Sequence, residues 1–259
     1  DEIGVVTTEQ VDAAEIWHKQ LPDIVLANAE DPYSAQSLML ALLIHAEPGI
    51  AEKQYAVLHE IIGQLHVQGV KQLQQVVAEQ ADIQTLSLVD LVLPTLREMS
   101  FDQYQRFKQS VQRLISADKK VDLREWVIQR VVLQHLDEQY GHRKKPLAKY
   151  FVLGSAKRAS ELMLSLLCYL EHDNMFQAEQ AFANAKRSIG AGALTMLPKE
   201  DISLHSLDKA MDELEFLKSP LKKRFLQACV TCIAHDDDVT IQGYELTRAI
   251  ASCLDCPMP

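Results

Sequence analysis

FDQYQRFKQSVQRLISADKKVDLREWVIQRVVLQHL, residues 101–136, decides the fold. Phe101, Tyr104, Phe107, Val111, Leu114 and Ile115 recur at helical spacing and form one apolar stripe behind a capping Ser100. The pattern breaks around Asp118. It resumes with Asp122 as the cap of a second helix carrying Leu123, Trp126, Val127, Arg130 and Val131. Glu125, three residues after that cap, stands where a capping box needs it. Val121, just before the cap, is expected to tuck back into the core.

The same helix–turn–helix returns 118 residues later. Phe107, Gln109, Ile115, Asp118, Val121, Arg130 and Leu136 match Phe225, Gln227, Ile233, Asp236, Val239, Arg248 and Leu254. Seven identities in thirty positions exceed the roughly two expected from average residue usage. In the second unit Asp236 and Asp238 lie in the turn, Val239 is the residue expected to tuck inward, and Thr240 is the cap. Gly243 replaces the capping-box glutamate there, which predicts a weaker cap. Both acidic turns invite comparison with an EF-hand loop. That loop requires glycine at position 6 and glutamate at position 12. Counting from Asp118 gives Leu123 and Gln129, and counting from Asp236 gives Ile241 and Thr247. Both read as structural turns.

Outward from these units, helical periodicity covers nearly the whole chain. Thr8 caps a helix running past Trp17, and Pro22 suits the first turn of a short one. Asp31-Pro32 is a cap followed by proline at the first helical position. Glu47-Pro48-Gly49 breaks that helix, the next runs from Ile50 to His66, and Gly69 separates it from one over 70–80. Ser87, Ser155, Asn174, Ser206, Ser219-Pro220 and Thr240 mark further starts. No stretch alternates as a strand does. The expectation is an all-α array of helix–turn–helix pairs. It divides at the basic loop after Gly141 into residues 1–140, ending in the unit 101–137, and residues 141–259, ending in the unit 219–255.

The chain's 259 residues hold 26 Lys and Arg against 36 Asp and Glu, a net charge of −10. That balance repels phosphates and argues against nucleic-acid partners and against a polybasic membrane-binding role for the chain as a whole. The longest apolar runs, Leu38–Ile44 and Leu162–Leu170, fall far short of the roughly 20 residues of a membrane-spanning helix. Asp1 rather than Met opens the sequence, so a start that is processed or cut from a longer chain is expected, with sequence missing upstream. Five cysteines in so large a chain suggest a reducing compartment rather than a disulfide framework.

Candidate chemistry is sparse. His59-Glu60-Ile61-Ile62-Gly63 imitates the zinc-peptidase motif but puts glycine where the second histidine belongs, and His66 is a further turn away. Cys229, Cys232, Cys253 and Cys256 form two Cys-x-x-Cys pairs with zinc-ribbon spacing. Cys229 and Cys232, however, fall on the apolar stripe of a helix beside Phe225, Leu226 and Ile233, where buried thiols are common packing residues. A cluster at His142, Arg143, Lys144, Lys145, Lys149, Lys157 and Arg158 is basic against the acidic whole. It reads as a solvated loop, with an acidic partner or lipid headgroups as the alternative. No glycine-rich phosphate loop and no nucleophile elbow is present, and no catalytic or cofactor-binding residue is assigned.

Phe101-Asp-Gln-Tyr-Gln-Arg-Phe107, Ala117-Asp-Lys-Lys-Val-Asp-Leu-Arg-Glu-Trp126, Leu221-Lys-Lys-Arg-Phe-Leu-Gln-Ala-Cys229, Glu245-Leu-Thr-Arg-Ala-Ile250 and Leu254-Asp-Cys-Pro-Met-Pro259 resemble the C-terminal region of bacterial membrane-embedded zinc metallopeptidases, relatives of the HtpX and CAAX-prenyl-protease group. The two repeat units separately resemble the helical turn of TerB-like tellurite-resistance domains. The first resemblance implies a parent whose zinc and His-Glu-x-x-His helix lie upstream, beside transmembrane segments, and are missing from this chain. It implies a non-catalytic interaction or regulatory region, inactive alone. Its partners would be its own peptidase domain and protein substrates or regulators, on the cytoplasmic side of the inner membrane. The second resemblance implies the alternative, a stress- or metal-sensing module. A free-standing helical scaffold is the third reading.

Overall fold

The structure, a computed structural model, describes residues 21–78, 85–117, 123–190, 193–234 and 239–256. Among these the secondary structure is helical throughout, apart from one isolated bridge between Tyr150 and Leu217. Contacts divide the chain between Lys144 and Lys145.

The unit before the division holds α1 (Asp23–Ala29), α2 (Pro32–Leu42), α3 (Pro48–Ala78), α4 (Thr85–Leu96), α5 (Phe101–Ala117) and α6 (Leu123–Gln139). Asp31 caps α2 by accepting from the Ser34 N–H at 2.7 Å. Residues Leu38 to Ile44 are all buried, the mark of a central helix rather than a surface one. α2 accordingly packs against α1, α3, α4 and α5. α3 breaks at Gly63, where φ is 77°, and not at Gly69. Positive φ is open to glycine at little cost, whereas Gly69 stays helical and faces Ser37 of α2. Pro94 sits in the last turn of α4 and Ser100 starts α5 with a full capping box, exchanging hydrogen bonds with Gln103. Tyr104, Phe107, Val111, Leu114 and Ile115 are buried as the stripe requires. Phe101 is not: at the first helical position it is 53% exposed and stacks on His142 with ring centroids 5.5 Å apart.

The unit after the division holds α7 (Lys157–Glu171), α8 (Met175–Ser188), α9 (Leu204–Leu214), α10 (Ser219–Ile233) and α11 (Ile241–Cys253). Asn174 caps α8. α9 starts at Leu204, earlier than Ser206, because Ser203 is the cap and Ser206 closes its box. α7 is the central helix here, packed on α8, α9, α10 and α11.

The two units share a helix arrangement, although the last helix also packs on α4 in the first (α6) and on α7 in the second (α11). The pairings α2–α3, α2–α4, α2–α5, α3–α5 and α5–α6 recur as α7–α8, α7–α9, α7–α10, α8–α10 and α10–α11. The sequence carries the same duplication in pieces. Ala35, Leu38, Met39, Leu40, Leu42 and Leu43 match Ala159, Leu162, Met163, Leu164, Leu166 and Leu167 at an offset of 124. Ala51, Glu52, Ala56, Ile62 and Gly63 match Ala178, Glu179, Ala183, Ile189 and Gly190 at 127, and both glycines take positive φ. From α4 onward the offset is 118: Leu86, Asp90 and Leu96 match Leu204, Asp208 and Leu214. α5 and α10 begin at equivalent positions, as do α6 and α11. The second copy lacks a counterpart of the half of α3 beyond Gly63, which accounts for the drop in offset.

Candidate functional site

The cysteines are drawn together differently from their spacing. Cys229 and Cys232 lie on the buried face of α10, and both are fully buried, as is Cys168 of α7. The Cys232 thiol reaches the Leu164 carbonyl at 3.8 Å and is close enough to Cys168 to share a hydrogen bond. Burial, and then the neighbouring Cys168, pushes the Cys229 and Cys232 thiols far above their ordinary range. Such thiols are neutral at pH 7 and poor nucleophiles. Cys253 is buried in the last turn of α11, while Cys256 is half-buried beside Lys222 and Asp255. Among the described residues, no three His, Cys, Asp or Glu side chains gather where they could hold a metal ion.

Of the turn residues, Asp118, Val121, Asp122, Asp236 and Asp238 lie outside the described residues. Glu125 is buried in the first turn of α6. Thr240 caps α11, its hydroxyl accepting from the Gly243 N–H at 3.0 Å. Val239 does not tuck inward: it is 43% exposed. A polar anchor replaces it. Glu171, at the end of α7, accepts from the Thr240 backbone N–H and, at 2.8 Å, from its hydroxyl. The carboxylate that a capping box takes from the third helical position is supplied here by another helix. A Cβ at Gly243 would sit 1.9 Å from a Glu171 oxygen. Glycine at this point therefore makes room for the cap.

In the unit before the division, Tyr104 donates its hydroxyl proton to Asp137, and the Lys108 ammonium meets the same oxygen at 2.5 Å. The Tyr140 ring stacks on Tyr104 at 4.3 Å and its hydroxyl donates to the Met99 carbonyl at 2.5 Å. The Asp137 carbonyl accepts from the N–H groups of His142 and Arg143 at 2.8 and 3.0 Å. Burial first, and Asp137 second, raise the Tyr104 phenol well above its ordinary value, so it serves as a fixed donor. Asp255, the repeat counterpart of Asp137, pairs with Lys145 at 2.6 Å. The Asp137 carboxylate thus ties the end of α6 to α5, its carbonyl holds the chain just past α6, and the Asp255 carboxylate ties Lys145 to the end of α11.

His59 is exposed and His66 half-buried, with the non-helical Gly63 between them. His66 stacks on Tyr33, centroids 3.6 Å apart, and its Nε2 is buried without a hydrogen-bond partner. Burial holds its pKa below the ordinary 6.5, and the charge of Arg106 adds to this against the opposing hydrogen bond with Tyr33. Below pH 6.5 the unfolded chain therefore binds more protons than the folded one. The stabilisation is complete above that pH and is lost as pH falls toward and through the folded-state value. His66→Phe, which keeps the stack, is expected to flatten the melting temperature against pH between 6.5 and about 5. A slope unchanged by the substitution would assign the acid sensitivity elsewhere.

The basic loop continues into a segment, 145–152, whose Lys149 and Tyr150 lie along residues 216–218. The N–H groups of Lys149 and Tyr150 both donate to the Phe216 carbonyl at 2.9 Å, and Lys218 N–H returns a bond to the Tyr150 carbonyl at 3.2 Å. Leu147, Phe151 and Val152 are 88%, 66% and 62% exposed. The Lys149 ammonium stands 3.6 Å from the Phe216 ring centroid, and that of Lys218 stands 3.8 Å from that of Phe151.

Comparison with known protein families, with characterised proteins and with solved structures finds no match for the chain.

Proposed function

We propose that this chain is a non-catalytic helical interaction region of a membrane-associated zinc metalloendopeptidase, whose zinc and catalytic helix lie upstream. In this reading it holds protein substrates or regulators beside the active site on the cytoplasmic side of the membrane. The observation that carries the reading is where the resembling segments fall. Residues 101–107 and 221–229 lie on α5 and α10, and 245–250 lie on α11, so the likeness follows the duplicated helix pairs. The ionisable groups of those pairs also support it. Asp137 ties α6 to α5 and Asp255 holds Lys145 at the end of α11, and the α10 thiols are kept neutral by burial, as in a packing module. No described helix is long and apolar enough to cross a membrane, so attachment in this proposal comes from the parent.

An antibody raised against the purified chain tests the proposal on extracts of the native host. The expected result is a polypeptide well above 29.2 kDa that sediments with membranes and, once captured, cleaves an unfolded protein until a zinc chelator is added. A soluble polypeptide of about this chain's own size, without cleavage, would contradict it.

A further inference from the structure

We propose that the segment 145–152, with its neighbour Phe216–Lys218, is a docking surface for an anionic lipid bilayer. The inference goes beyond the function proposed above and does not depend on it.

Charge is the first argument. Residues 145–160 and 216–234 together contain eight Lys and Arg and no Asp or Glu. The backbone hydrogen bonds of Lys149, Tyr150 and Lys218 lay these two acid-free stretches side by side. The chain's net charge of −10 does not oppose this. Residues 1–144 carry 13 basic against 21 acidic side chains, whereas residues 145–259 carry 13 against 15. Salt screens charges beyond about 8 Å at physiological strength, so the local sign governs close contact.

Side-chain placement is the second. Leu147, Phe151 and Val152 are exposed within a few residues of Lys149, and Lys218 stands over the Phe151 ring. Lys145, Lys157 and Arg158 are engaged by Asp255, Glu161 and Asp201. Lys149 and Lys218 instead rest on aromatic faces, which leaves their outer sides to an incoming anion.

The combination selects the occupant. A free phosphate or an acidic peptide would neutralise the lysines and leave Leu147, at 88% exposure, and Phe151, at 66%, in water. A bilayer with anionic headgroups answers both, taking the ammonium groups at its phosphates and the apolar side chains just beneath them.

Flotation of the full chain with vesicles is the test. Vesicles of phosphatidylcholine with about 30% phosphatidylserine are expected to carry the chain up, and phosphatidylcholine alone to bind it at least about 10-fold more weakly. Leu147→Ser with Phe151→Ser, and separately Lys149→Ser with Lys218→Ser, are each expected to cut binding about 10-fold without lowering the melting temperature. A Phe151→Trp chain gives a second readout, a blue shift of its added emission on the anionic vesicles. No flotation, equal flotation on both vesicles, binding that neither double variant weakens, or full competition by soluble polyglutamate would each overturn the proposal. The chain is assayed without any peptidase, so a failure here leaves the native polypeptide's size and activity to judge the other reading.

Discussion

Phe225→Ala is expected to lower the stability of the chain by about 3–5 kcal/mol, and Phe107→Ala by a similar amount. The two side chains occupy the same place in the two copies, 0% and 1% exposed in the middle of α10 and α5. Each loses its contacts on truncation and leaves a cavity that the helices packed around it can only partly close. Phe101→Ala is the control. It lies on the same sequence stripe as Phe107 but is 53% exposed, so its loss is expected to stay within about 0.5 kcal/mol. Urea unfolding followed by circular dichroism reads all three. Equal effects at 101 and 107 would mean that the stripe is buried along its whole length, contrary to the structure.

Glu171→Ala is expected to cost about 1–2 kcal/mol, the usual range for losing a helix cap and its hydrogen bonds. The sharper result is the dependence of Gly243→Ala on it. Alanine inside a helix ordinarily stabilises by about 0.5–1 kcal/mol relative to glycine. In the parent chain the new methyl would displace the Glu171 carboxylate 1.9 Å away and sacrifice the bonds to Thr240, so the gain disappears. In the Glu171→Ala background only the Ile233 methyl remains close, at 3.2 Å, and part of the gain returns. A double-mutant cycle from thermal melts measures the coupling. Additive effects would show that Glu171 does not hold the start of α11.

The helices were legible because apolar spacing, Asp31-Pro32, Ser100, Asn174, Ser219-Pro220 and Thr240 all obey local rules. Capping chemistry lies within a few residues of the helix it starts. The duplication was legible only in its last third. A scan at one offset finds α5–α6 against α10–α11, but the earlier helices match at 124 and 127 because the half of α3 after Gly63 has no counterpart in the second copy. Leu-Met-Leu at 38–40 and 162–164 was the available signal. The exposure of Val239 and the role of Gly243 were hidden for a different reason. Both follow from Glu171, which is 69 residues away from Thr240, and no local pattern announces a cap delivered from another helix. The thiols behave alike: periodicity puts Cys229 and Cys232 on a helix stripe, but their companion Cys168 comes from α7, outside any Cys-x-x-Cys spacing. The basic cluster is legible, with lipid headgroups among its readings, but the exposed Leu147 and Phe151 acquire meaning only once Phe216 and Lys218 are laid beside them.

Zinc bound per purified chain, measured by plasma emission after dialysis and paired with a cleavage assay on an unfolded protein, tests the account most directly. A chain whose side chains pack helices and fasten their ends holds well under one equivalent and cuts nothing with zinc added. One tightly held zinc per chain together with zinc-dependent cleavage would contradict it.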